Sequence, residues 1–460
     1  MEWFFGCALA DALHEPRCIR TSRIVLAGTL AALLSTLGAP SHADPKRPVP
    51  DYDGRGNPDA DADSWVLWIP RVVLSPLYLT NEYVLRRPLG ALVRKAERDR
   101  WADSFVQLFT FGEGGKNLIV PTALFDFGLL PSVGFYYSGD DFLAHGNVLR
   151  LHGATWGKRW INATLADRYA LGDAQSVQAR FEFKRSEDNL FVGIGPDAVS
   201  STQSRFGLER VDGTVRYRRT LARQSRLDVA AGIQHLAFLD GDCCNDPSID
   251  TRIASGDLMT PPGYRDPYTT VHARVDLSLD TRRPRPEPGS GYYLQLEAQP
   301  SVDVQGSRSW IEYGGVAGGA LDLTGRRRTL RLQLALDFVD RMTGDSIPFT
   351  EYASFDRELL PGFLPGWLIG RSTAAAQLGY TWPVWLGLDA QARFTVGNAF
   401  GARLDGFAAD KLRMSGDVGF TTSTARDQGF ELLFGLGTET FEQGAGITSV
   451  RVTLGSRRGF

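Results

Sequence analysis

The sequence predicts an all-β chain, a transmembrane antiparallel β-barrel of about sixteen strands preceded by a short N-terminal helical periplasmic segment. Three observations predict it. Long segments alternate apolar and polar residues with a period of two, the N-terminus is organised like a secretory signal, and the strand count is even, with the longest connections all on one side.

The alternation is clearest where Leu330, Leu332, Leu334, Leu336 and Phe338 are separated by Arg331, Gln333 and Asp337. Successive side chains of a strand point to opposite faces, so one face is apolar and the other charged. The same pattern recurs from Val177 to Phe183, from Val271 to Leu279 and from Leu386 to Val396. These runs suit a tilted bilayer crossing of about nine to eleven residues, longer than the five or six usual in a soluble sandwich. Their polar faces carry both signs of charge, as a wet lumen allows, and their apolar faces exclude charge centrally, as lipid requires.

The elements follow in order. Arg20 and Arg23 precede the apolar run Ile24 to Leu37 and the small-residue site Ser41-His42-Ala43, so residues 1–43 read as a signal peptide cut before Asp44. Cys243 and Cys244 then remain, and adjacent cysteines form either a vicinal disulfide or two loop thiols. Residues 44–63, rich in Pro, Asp and Gly, read as a disordered linker. Residues 64–117 read as a helical periplasmic segment, with Leu89, Leu92, Val93 and Ala96 at helical spacing. The barrel occupies 118–460.

Its strands are expected near 118–127, 131–137, 146–157, 160–170, 176–185, 205–221, 225–240 and 268–282, then 291–304, 307–325, 328–341, 373–383, 386–400, 413–425, 429–441 and 447–458. With a periplasmic N-terminus, the three longest connections, 186–204, 241–267 and 342–372, all fall on the outer side, where long loops belong.

Composition excludes two classes. The net charge of -3 comes from 50 basic and 53 acidic residues interspersed, which gives no electrostatic footprint for nucleic acid. Mean hydropathy is slightly negative, unlike that of a helical membrane protein. Nor does catalysis show. There is no Gly-x-Ser-x-Gly elbow and no His-Glu-x-x-His helix, and His145, His152, His235 and His272 lack metal-ligand spacing. His272, with Arg274 and Asp276, reads as part of a lumen-wall network. No enzyme activity, metal or cofactor is expected.

Two stretches carry a family resemblance. One is Asp280-Thr281-Arg282 followed by Pro286, Pro288, Gly289, Gly291 and Tyr292; the other is Leu360-Pro361-Gly362-Phe363, Gly366, Gly370-Arg371-Ser372 and Gly379 to Val384. They resemble the strand-turn and lumenal-loop motifs of the BamA/TamA-type outer-membrane assembly factors, also called bacterial surface antigens. Phe191 to Pro196 resembles a further loop element of these proteins.

The resemblance implies a sixteen-stranded barrel in the outer membrane of a Gram-negative cell, with its long loop folded back into the lumen. It implies a role in outer-membrane protein assembly or translocation. The partners implied are outer-membrane lipid, the barrel assembly machinery during the chain's own insertion, and other outer-membrane proteins. A passive pore or structural barrel is the alternative.

The chain departs from the family in three places. Pro361 stands where the family has the arginine that pins the loop, so the loop is expected to insert held mainly by Phe363, with Arg371 the other candidate. Phe460 fits a C-terminal insertion signal and shares its parity with Val450, Val452 and Leu454, but Ser456 and Arg458 break the apolar pattern. Residues 64–117 lack the strand pattern of the family's periplasmic modules, so the chain reads as a short member without them.

Overall fold

The structure, a computed structural model, describes residues 108–222, 224–241, 243–282, 289–323, 327–355, 358–385, 388–422 and 428–458. Within them, sixteen strands form one closed antiparallel barrel. They are β1 (Asn117–Asp126), β2 (Ser132–Asp140), β3 (Asn147–Thr155), β4 (Trp160–Gly172), β5 (Gln175–Phe191), β6 (Ser204–Ala222), β7 (Ser225–Leu239) and β8 (Tyr268–Asp280). The circuit continues with β9 (Gly291–Asp303), β10 (Ser309–Asp322), β11 (Thr329–Thr343), β12 (Ser372–Trp385), β13 (Leu388–Phe400), β14 (Arg413–Thr422), β15 (Gln428–Thr440) and β16 (Ile447–Arg458). Each pairs with the next, and β16 returns to β1, where Thr453, Leu454 and Gly455 oppose Asp126, Phe125 and Leu124.

The pleat faces as the sequence implies. Leu332 and Leu334 are 58% and 57% exposed on the outer surface, while Gln333 and Ala335 between and beside them are buried inside. Val215, Ile233, Val418 and Phe434 continue the exposed apolar band around the wall. So wide an apolar exterior on a closed barrel is stable in lipid, not in water. At the end of the barrel away from the long connections the rings of Tyr380 and Trp382 stack 5.3 Å apart.

The largest departure from the expected boundaries is β5, which runs on to Phe191 instead of ending at 185. A register shift between Ser186 and Asn189 takes up extra residues, so the β5–β6 hairpin outruns the alternating stretch. Residues 110–111, expected within the helical segment, pair as a short strand with Asn117 and Leu118. The signal peptide, the linker, residues 64–107, Pro288 and Phe460 lie outside the described residues.

The connection from β7 to β8 and that from β11 to β12 pack together at one end of the barrel. Helix α1 (Ile249–Ser255) begins at Ser248, whose side chain accepts from the Thr251 N–H, and ends at left-handed Gly256. It buries Ile249 in an aromatic core around Phe349, whose ring lies 5.2 Å from Phe191, 5.3 Å from Phe206 and 6.0 Å from Phe238. Cys243 and Cys244 in the same connection form a vicinal disulfide.

Candidate functional site

The connection between β11 and β12 carries structure of its own. Ala353–Ser354 pairs with Ile369–Gly370, and the intervening chain enters the barrel. There Leu360, Phe363, Leu364, Trp367 and Leu368 form an apolar core with Leu190, Ala335 and Ala399 of the wall. A lumen otherwise lined by polar side chains is thus filled on one side by a hydrophobic plug, held by burial of apolar surface.

The motif residues line this plug. Gly362 lies flat on β15, where a Cβ would collide with the Leu436 carbonyl. Its N–H donates to Ser415 Oγ of β14 (2.8 Å), and its carbonyl accepts from Ser449 Oγ of β16 (2.7 Å). The Phe363 ring rests on Gly437, where a Cβ would stand 2.6 Å from it, and lies 5.7 Å from the Trp367 ring. Gly366 adopts φ +87°, a left-handed conformation that lets the chain turn against the Leu190 carbonyl. Pro361 is buried and supplies no cation.

The plug is nonetheless pinned by an arginine, from the opposite partner. Arg451 of β16, 3% exposed, donates through Nη1 to the Phe363 carbonyl (2.7 Å). The same guanidinium binds Asp126 of β1 through Nε (2.9 Å) and Nη2 (2.6 Å). One side chain therefore joins the plug, the last strand and the first strand. The expectation that Phe363 packs without a charged anchor is corrected here: packing and a charge-assisted hydrogen bond act together, with the cation on the wall and the acceptor on the loop. Arg371 does not take the missing arginine's place. It donates to the Val339 carbonyl (2.6 Å) beside Asp340 (3.6 Å), outside the plug core.

Phe191 to Pro196 meets the plug as well. The Gly195 N–H donates to the Ile369 carbonyl (2.8 Å), and fully buried Arg413 of β14 donates to the Pro196 and Ala198 carbonyls and to Glu439 (2.5 Å). Sequence reasoning missed Arg413 and Arg451. Their inward parity was legible; their partners, distant in sequence, were not.

The strand-turn motif sits at the other end of the barrel. Arg282 folds back on Asp280 (Nη2 to Oδ2 2.8 Å), and its guanidinium lies over the Tyr293 ring at 4.3 Å. Gly291 approaches Thr281, whose N–H donates to the Tyr292 carbonyl. These contacts close a turn and do not reach the plug.

The seam between β16 and β1 is short. Strand pairing covers only 124–126 against 453–455, with one more bond from the Phe127 N–H to the Val452 carbonyl (2.9 Å). By contrast, β1 pairs with β2 from Asn117 to Leu124, and β15 with β16 from Gln428 to Thr438. Among the described residues, 119–123 of β1 and 447–451 of β16 thus present edges with no strand partner across the seam.

Beside the plug, a cavity of about 510 Å³ lies against β5 to β10. Arg210, Arg216, Arg274, His272 and Glu312 line it, with Glu351 of the inserted loop. His272 lines the cavity beside Arg274, which is held by Asp276 (3.0 Å) and Glu297 (2.5 Å). Glu351 accepts from Tyr268 Oη (2.5 Å) and Gln234 Nε2 (3.3 Å), and burial pushes its carboxyl above the ordinary range. Among the described residues, no three His, Cys, Asp or Glu side chains converge as metal ligands would.

No protein-family model matches the chain. No curated protein matches it either. Among solved structures, the barrel is similar to BamA from Haemophilus ducreyi lacking POTRA domains 1-3, with a TM-score of 0.54 at 12% identity over 74% of this chain and 70% of that one. Two others match at lower TM-scores. They are CdiB from Acinetobacter baumannii (0.46, 10% identity, 74% of this chain and 59% of that one) and the translocator domain of the autotransporter NalP from Neisseria meningitidis (0.25, 10% identity, 80% and 98%). At such identities the likeness to BamA shows the fold alone: a sixteen-stranded barrel of that architecture.

Proposed function

We propose that this chain is an outer-membrane assembly or translocation barrel that engages client β-strands at the seam between β1 and β16. The observation that carries this reading is the seam itself, paired among the described residues only over 124–126 and 453–455, with strand edges on either side that no described strand covers. An unpaired edge is a template for a further strand, whose main-chain hydrogen bonds supply affinity without demanding a particular sequence. A barrel sealed like its other strand pairs would offer none.

A passive pore fits less well. The inserted loop and the aromatic core around Phe349 obstruct the lumen from the outer side, whereas a pore gains from an open bore. The test is depletion of the protein followed by a quantitative inventory of the other outer-membrane proteins. A broad fall supports assembly. An inventory unchanged while solute uptake falls supports a pore.

A further inference from the structure

The lumenal cavity beside the plug holds three ionisable side chains that no hydrogen bond ties to the wall. Arg210 and Arg216 of β6 and Glu312 of β10 all line it, and among the described residues none makes a hydrogen bond or ion pair. The Nε atoms of both arginines are shielded from solvent and unpartnered. Neighbouring charges are committed: Arg274 to Asp276 and Glu297, and Glu182 to Arg180 and Asn162. Desolvating guanidinium and carboxyl groups without hydrogen-bond partners costs stability, and a cavity that leaves such groups of both kinds free to bond suits a ligand with both complements.

The register sets the spacing. Arg216 opposes Ala230, which opposes Arg274. Arg274 and Gln299 flank the Val275–Ala298 pair, and Gln299 opposes Glu312. Arg216 and Glu312 therefore lie near one level of the wall, four strand spacings apart, or about 19 Å along the curve. Their side chains reach inward from both ends and leave roughly 10 Å, the length of three extended residues. Between them lie small Ala230, then Arg274, tied to Asp276 and Glu297, and Gln299.

We propose that this cavity binds a short peptide-like zwitterion, its acid group on Arg216 and its amino group on Glu312. Guanidinium recognises a carboxylate through paired donors, and a carboxylate accepts from an ammonium, so each end of the ligand is read separately. The volume of about 510 Å³ is ordinary for a small-molecule site. This assignment does not depend on the seam.

The experiment is calorimetric titration of the purified full-length barrel in detergent with triglycine, N-acetyl-triglycine and triglycine amide. Triglycine should bind saturably, and each capped form at least tenfold more weakly, as loss of a charge-assisted hydrogen bond implies. In Glu312→Gln the penalty for acetylation should vanish; in Arg216→Gln the penalty for amidation should. The capped series on the unaltered barrel decides the matter even if a variant fails to fold. Absence of saturable binding at millimolar triglycine, or equal binding of all three peptides, overturns the proposal. Binding of the acetylated form as tight as triglycine's also overturns it, because the site would then read anions alone.

Discussion

Arg451 of β16 and Asp126 of β1 form a two-pronged ion pair across the closing seam, Nε to Oδ1 at 2.9 Å and Nη2 to Oδ2 at 2.6 Å. Both side chains are almost wholly buried, and the remaining guanidinium donor holds the plug at Phe363. Plug position and seam closure are therefore coupled through one residue.

Removing that residue should loosen both. Arg451→Gln takes the guanidinium away from buried Asp126, and breaking a buried pair costs about 3 to 5 kcal/mol. The temperature at which the folded barrel loses its fast electrophoretic mobility should drop, and the amides of Leu360 to Trp367 should exchange faster. Loss of mobility at the wild-type temperature with unchanged exchange would show that the pair contributes neither effect.

Shortening the plug should open the bore. Deletion of residues 358–368 removes Leu360, Phe363, Leu364, Trp367 and Leu368 from the lumenal core. Single-channel conductance in planar bilayers should rise several-fold. A deletion that leaves conductance at the wild-type level would mean that another segment limits flow.

The facing of β11 can be checked at adjacent positions. Arg in place of outward Leu334, which is 57% exposed, should cost about 2 to 4 kcal/mol at the bilayer midplane. Arg in place of buried Gln333 meets a polar lumen and should cost less in lipid terms, though it displaces bonds to Gln377 and Tyr293. Urea midpoints of the two variants in lipid vesicles decide; a milder effect at 334 than at 333 contradicts the assigned faces.

Alternation made the barrel readable, because a lipid-facing wall forces apolar residues to every second position, and Leu330 to Leu336 can satisfy that pattern with one facing only. Loop insertion was readable from Gly362, Phe363 and Gly366. The anchor was not: Pro361 removed the expected cation, and the replacement, Arg451, lies far along the chain, where period two shows only that it points inward. The end of β5 was hidden for a related reason, since Ser186 to Asn189 carry a register shift that breaks the period. Helix α1 had its caps, Ser248 and Gly256, in plain view, but seven residues are too few for a helical period to stand out.

Acid should strengthen the docking of the inserted loop. Burial raises the Glu351 carboxyl, so the folded barrel holds its proton more tightly than the unfolded chain does. That contribution is fully present below the unfolded carboxylate value, about 4.3, and is lost as pH rises through the raised folded value. Arg210 nearby reduces the effect without reversing it. Exchange of the Phe349 to Ser354 amides, corrected for intrinsic rate, should accelerate between pH 4 and 8 in the wild type and stay level in Glu351→Gln. Slower corrected exchange at higher pH would contradict the sign.

The seam is tested most directly by locking it. Phe125 and Leu454 oppose each other across it, and directly opposed residues have Cβ atoms about 4.5 to 5.5 Å apart, near disulfide reach. Cells whose only copy carries Phe125→Cys and Leu454→Cys should, once oxidised, lose outer-membrane proteins to the extent that depletion causes. Added reductant should restore the inventory, while the wild type is unaffected by the same treatment. A fully cross-linked barrel that sustains a normal outer-membrane inventory, where depletion lowers it, would contradict the account.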